Sequence, residues 1–276
     1  MAPNSFRSET IYSHVISSRS LLVLKEQQEQ QAEWHVSNPK QDHISKIYQP
    51  NTFSDTHFKL QDSTVESAYK CVGLNAFKCN NDLEHIASKV QSLKEFIVSY
   101  PGNSEQEEPQ FMIFSWIFKS MWSKEQTCVV HLFQKQGTWS INEDSQGFEK
   151  TFRNFLSKTD AEKASQLRFA TKMQVAPTIV KSAIDRLGGE KPVNIGEALT
   201  TTFHRGGNYM EIDINVSSST IASMLSNTIL KASGNLVVEE CWFLQSEDNS
   251  KIFGATRLNY VDLYAAQTTL DKNYQA

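Results

Sequence analysis

The chain has no excess of basic residues. Its 276 residues carry 27 Lys+Arg against 31 Asp+Glu, a formal net charge of −4. That balance gives no electrostatic purchase on a phosphate backbone, so nucleic acid is not an expected partner. Cysteine is sparse as well. Cys71, Cys79, Cys128 and Cys241 form no CxxC pair and no dense framework, which points to free thiols in a reducing compartment. No apolar run approaches the roughly 18–20 residues that span a bilayer. The most apolar stretch, residues 111–118, is far too short. GxGxxG, the P-loop, GxSxG and HExxH are all missing, so no nucleotide or hydrolase signature is present. The histidines at 14, 35, 43, 57, 85, 131 and 204 show no HxH or HxxxH spacing. Neither a metal set nor a cofactor is expected.

The N-terminus lacks the apolar core and the cleavage site of a secretory signal. Its Ser/Arg content and the run 21–24 (LLVL) share features with an organelle transit peptide, against which Glu9 argues. Cytosol is the expected location, with organelle import as the alternative. Residues 1–60, including KEQQEQQAEW, are polar and read as an extended or partly disordered arm, with one helix over 21–34. Residues 61–276 read as a single domain.

Within that domain, residues 111–118 and 127–134 carry β-branched and aromatic residues and predict an antiparallel hairpin. Residues 96–100 and 167–175 read as further strands. Residues 178–187 place Ile179, Val180, Ala183, Ile184 and Leu187 on one face of a helix. Ser217 to Ser219 then offer an N-cap for a helix through Lys231, followed by strands over 236–244 and 252–262. The sum is α+β: a curved antiparallel sheet with covering helices.

The densest polar group is HRGGNYMEID, residues 204–213. Period-2 alternation on both sides of Gly206-Gly207 predicts a hairpin, with His204, Arg205 and Asn208 at its tip. Tyr209, Glu211 and Asp213 share one face. That face lines a pocket or binds a cation in one reading; in the other it is a solvated outer face. His131, in an apolar strand, reads as a satisfied sheet histidine, and Cys128 points to the opposite face. Phe114, Trp116 and Trp122 make the 111–133 hairpin aromatic. They supply core, a pocket wall or, at the Met121-Trp122 tip, a membrane contact.

The stretch from Pro177 resembles the C-terminal domain of plant Enhanced Disease Resistance Two proteins and their protist relatives. The residues that carry this are Pro177, Ile179, Val180 and Lys181; Lys191-Pro192; Gly196, Ala198 and Leu199; His204 to Asp213; and the serines 217–219. Leu236 to Val238, then Gly254, Ala255, Arg257, Leu258, Asp262 and Leu263, match its closing run. Asn75-Ala76-Phe77 looks like the domain's start, but Lys78-Cys79-Asn80 stands where the family has a Val-Arg-Gly-like run. The resemblance implies lipid binding and a START-like helix-grip sheet by association, and no catalytic residues.

The expected function is therefore non-enzymatic binding of a lipid or other apolar ligand between sheet and helix. Trp116, Phe114 and Met224 would form apolar wall; Arg205, His204, Asn208, Tyr209, Glu211 and Asp213 would contact a polar head group. Peripheral membrane contact is a further expectation. The alternative is an interaction or structural subunit that docks on an assembly through the N-terminal arm. An enzyme using His204 with Glu211 or Asp213 ranks last.

Overall fold

In the computed structural model the residues described are 35–37, 66–100, 108–119, 124–186, 191–245 and 251–274. The expected helix at 21–34, the Met121-Trp122 tip and the Gly188-Gly189 stop lie outside them, as does the 1–60 arm apart from 35–37. The class is α+β, and its strands divide between two facing sheets.

The larger sheet is a curved, open, six-stranded one. It contains β3 (Tyr69–Cys79), β4 (Phe111–Lys119), β5 (Gln126–Lys135), β8 (Thr200–Arg205), β9 (Tyr209–Asn215) and β13 (Gln267–Thr269). Their order is β13-β3-β5-β4-β9-β8. The hairpins β4–β5 and β8–β9 pair antiparallel, as their sequences predict. They join side by side through a parallel β4–β9 pair, with Phe114 opposite Ile212 and Ser115 opposite Asp213.

The second sheet contains β1 (His35–Ser37), β6 (Leu167–Val175), β7 (Val193–Asn194), β10 (Val237–Leu244) and β12 (Gly254–Asn259), in the order β1-β12-β10-β6-β7. β1, drawn from the segment read as an arm, pairs antiparallel with the edge of β12. The short strands β2 (Glu66–Ser67) and β11 (Lys251–Ile252) pair parallel where the chain enters β3. There the Ala68 and Tyr69 N–H groups donate to the carbonyls of Ile252 and Phe253, both at 2.8 Å.

Alternation along the strands turns one face of each sheet inward. Met112, Phe114 and Phe133 from the larger sheet meet Phe169, Trp242 and Leu244 from the smaller. Phe114 stacks on Trp242 at 4.1 Å between ring centroids. The contact is so close that a Cβ on Gly254 would stand 2.5 Å from the Phe133 ring. Phe148, Phe152 and Phe155 of α3 (Gly147–Ser157) complete this end of the core at i, i+4, i+7 spacing.

The outer face of the larger sheet is covered by α1 (Ile86–Lys89) and α2 (Gln91–Ser99). Leu83, Ile86, Leu93 and Ile97 bury there against Phe77, Phe111, Ile113, Val130 and Leu132. Residues 96–100 are thus not a strand. Leu93 and Ile97 lie four apart on one helical face, and that burial overrides the β-propensity of Ile97-Val98. The other α-helices among the described residues are α4 (Asp160–Gln166), α5 (Thr178–Arg186), α6 (Ile195–Ala198) and α7 (Thr220–Ala232). α4 starts on a capping box formed by Thr159 and Glu162, and Ser219 caps α7 by accepting from the Ala222 N–H. Among the described residues no helix is long and apolar enough to cross a membrane.

Candidate functional site

Between the sheets, at the end away from the phenylalanine core, the packing opens into a cavity of about 250 Å³. Trp116 and Phe118 of β4 and Val129 and His131 of β5 form one wall. Phe169, Thr171 and Met173 of β6, with Val238, Glu240 and Leu258, form the other. Ile184 of α5 and Ala222, Ile229 and Leu230 of α7 roof it. The small Ala222 leaves the space that a longer side chain would fill.

Polar groups on this wall are few, and local structure uses some of them. Ser219 is the α7 cap. The Ser233 hydroxyl donates to the Leu230 carbonyl and accepts from the Leu263 N–H. Lys191 is exposed at the rim. The exception is deep inside. His131 of the larger sheet, 1% exposed, places Nε2 3.0 Å from Oε2 of Glu240 on the opposite sheet. That approach is off the line of a hydrogen bond, and Nδ1 has no partner among the described residues. His131 is therefore only in part the satisfied sheet histidine of the sequence reading: it has a carboxylate beside Nε2 but no hydrogen bond at either ring nitrogen among the described residues. The signal that could have flagged it is a basic side chain on the inward face of an apolar strand, with Glu240 at an inward position of another.

The HRGGNYMEID hairpin is built as expected but placed elsewhere, on the outer face of the larger sheet. Its carboxylates are not solvated. Glu211 is 0% and Asp213 2% exposed, because the entry to α1 lies over them. Glu211 accepts from the Ile86 and Ala87 N–H groups at 2.9 and 3.1 Å and from the Ser115 hydroxyl at 3.1 Å. Asp213 accepts from the His85 N–H at 2.7 Å and lies 2.9 Å from Nε2 of His204. The His85 and His204 rings stack at 4.3 Å, and Nε2 of His85 meets the Tyr209 hydroxyl at 2.7 Å. Gly206 makes room for this: a Cβ there would stand 2.0 Å from the Tyr209 ring.

Burial, and next the Asp213 charge, push the Glu211 carboxyl well above the ordinary carboxylate range. Burial, and then neighbouring His204, lower the His85 imidazole, against the pull of Asp213. A raised carboxyl near a histidine would suit acid–base chemistry. Here, however, both Glu211 oxygens are occupied by α1 amides and Ser115, and the side chain is fully buried. The cluster anchors a helix to a sheet. Among the described residues no group of His, Cys, Asp and Glu is arranged to hold a metal.

Of the residues expected to contact a ligand, Trp116 alone lines the cavity. Phe114 is on the same face of β4 but is sealed against Trp242. Met224 is 68% exposed, since it points outward from the roof helix. Asn208 donates to the carbonyls of Ile97 and Tyr100, tying the hairpin to α2. His204 and Arg205 line a more open depression of about 420 Å³ with Arg153, Lys163 and Phe203. Tyr209, Glu211 and Asp213 belong to the anchor. Sequence reasoning missed the inward residues of β5, β6 and β10, because nothing local marks which face of a buried strand meets a void.

The profile described as "Protein ENHANCED DISEASE RESISTANCE 2, C-terminal" matches residues 32–262. It reaches into the segment read as an arm and takes in β1. "Protein ENHANCED DISEASE RESISTANCE 2-like" of Arabidopsis thaliana is 28% identical over 119 residues, 42% of this chain and 16% of that protein. The aligned stretch is thus a small part of a much longer relative. No solved structure matches. The profile covers most of the chain, and the chain belongs to the Enhanced Disease Resistance 2 C-terminal family.

Proposed function

We propose that this protein is a non-enzymatic carrier or sensor of a lipid or similar apolar ligand, held in the cavity between the two sheets. The observation that supports this most is the cavity itself: about 250 Å³, walled by aromatic and aliphatic side chains, beneath two helices. Its size falls just below the range of small-molecule pockets, roughly 300–1,000 Å³. A well-packed interior has few voids larger than a water, so an opening of this size is a feature of the fold. The START-like character implied by resemblance belongs to the same reading. Ile179 on α5 and Ile221 and Met224 on α7 stand outward, 64%, 53% and 68% exposed. They suit transient contact with a lipid surface during loading. The expected compartment is the cytosol.

The test is a cavity-filling substitution. N-phenyl-1-naphthylamine, an apolar fluorescent probe, should bind the wild type saturably. Ala222→Leu should abolish that binding while leaving the circular dichroism spectrum unchanged. Equal binding by a folded Ala222→Leu protein would exclude the cavity.

The second reading, a subunit docking through residues 1–60, draws on β1, which already adds main-chain pairs to a sheet edge. Pull-downs with and without those residues test it. An identical partner set in both would dismiss it.

A further inference from the structure

We infer that the cavity's ligand carries a neutral hydroxyl-type group, which sits against His131 and Glu240 while its apolar body fills the rest. This deepens the carrier reading and rests on it. A buried polar group without a hydrogen bond is destabilising, and folded proteins rarely leave one. His131 is 1% exposed, and neither ring nitrogen makes a hydrogen bond among the described residues. It lines an otherwise apolar space beside Glu240, its Nε2 in direct contact with Oε2 at 3.0 Å but off the line of a hydrogen bond. The Thr256 hydroxyl reaches Glu240 only at 3.4 Å. Two sheets thus bring an acceptor-rich carboxyl and an imidazole to one point of the cavity wall, and leave both ring nitrogens without a hydrogen bond among the described residues.

The pair also selects. A hydroxyl both donates and accepts, so it can satisfy the carboxyl and the ring nitrogen together. A ligand carboxylate would meet the Glu240 carboxyl at close range, where like charges repel strongly in a low-dielectric interior. A pure hydrocarbon would leave the His131 ring nitrogens without a hydrogen bond. The class indicated is an apolar alcohol rather than a fatty acid or an alkane.

The experiment titrates the delipidated full chain with 1-dodecanol, dodecane and dodecanoate, read by tryptophan fluorescence, since Trp116 lines the cavity. Dodecanol should bind the wild type at least as tightly as dodecane and about tenfold more tightly than dodecanoate. His131→Phe should weaken dodecanol about tenfold and leave dodecane unweakened. Dodecane outbinding dodecanol in the wild type, dodecanoate matching dodecanol, or an unaltered dodecanol affinity in His131→Phe would overturn the inference while the carrier reading stood. Binding of none of the three would overturn the carrier reading itself. If His131→Phe does not fold, the wild-type ranking alone decides.

Discussion

Glu211 illustrates how burial changes the work of a carboxylate. On an exposed strand it would be a solubilising charge. Under α1 it becomes the acceptor for two main-chain amides and a serine. Its carboxyl titrates well above the ordinary value of 4.5. The folded protein therefore keeps a proton that the unfolded chain releases, and stability from this group declines as pH rises from about 4.5 towards the folded value. Thermal midpoints across that range should fall more steeply for the wild type than for Glu211→Gln. Parallel curves would contradict the assignment. The four cysteines make a second point at this scale. All are buried free thiols, and burial pushes Cys71 up to about 12 and Cys128 and Cys241 upward as well. Iodoacetamide at about pH 8 should leave the native protein unlabelled and modify it on denaturation. Rapid labelling of Cys71, Cys128 or Cys241 in the native state would refute the packing described.

Among the elements, the β8–β9 hairpin and α7 were legible because their signals are local. Alternation around Gly206-Gly207 fixes the hairpin, and Ser219 followed by helical spacing fixes α7. The turn's two glycines are not equivalent. Gly206→Ala would force the Tyr209 ring away from its place and cost about 1–3 kcal/mol. Gly207→Ala meets open space and should stay within about 0.5 kcal/mol of wild type. Equal melting temperatures for the two variants would count against the turn geometry. Ser219→Ala should lose about 1 kcal/mol, a drop of about 2–4 °C in melting temperature. An unchanged midpoint would mean that the cap contributes nothing. α2, α3 and α4 were equally writable: Leu93 with Ile97, Phe148-Phe152-Phe155, and the Thr159–Glu162 box are helical signals. β-branched and turn-forming neighbours obscured them.

For the whole molecule, what the sequence cannot display is pairing between distant strands. β4 and β9 join in parallel across nearly a hundred residues, and β6 and β10 assemble a second sheet opposite the first. Only that facing arrangement makes a cavity, and only it brings His131 to Glu240. The polar hairpin drew attention because its residues are adjacent in sequence, yet the fold spends them on anchoring α1. The cavity residues are scattered from Trp116 to Leu263 and carry no motif. The central claim is that this space holds an apolar molecule, and the most direct test is native mass spectrometry of the purified protein, followed by organic extraction and identification of what is released. The account predicts one apolar molecule per chain, lost in Ala222→Leu. A bare chain that also fails to take up dodecanol or dodecane would contradict it.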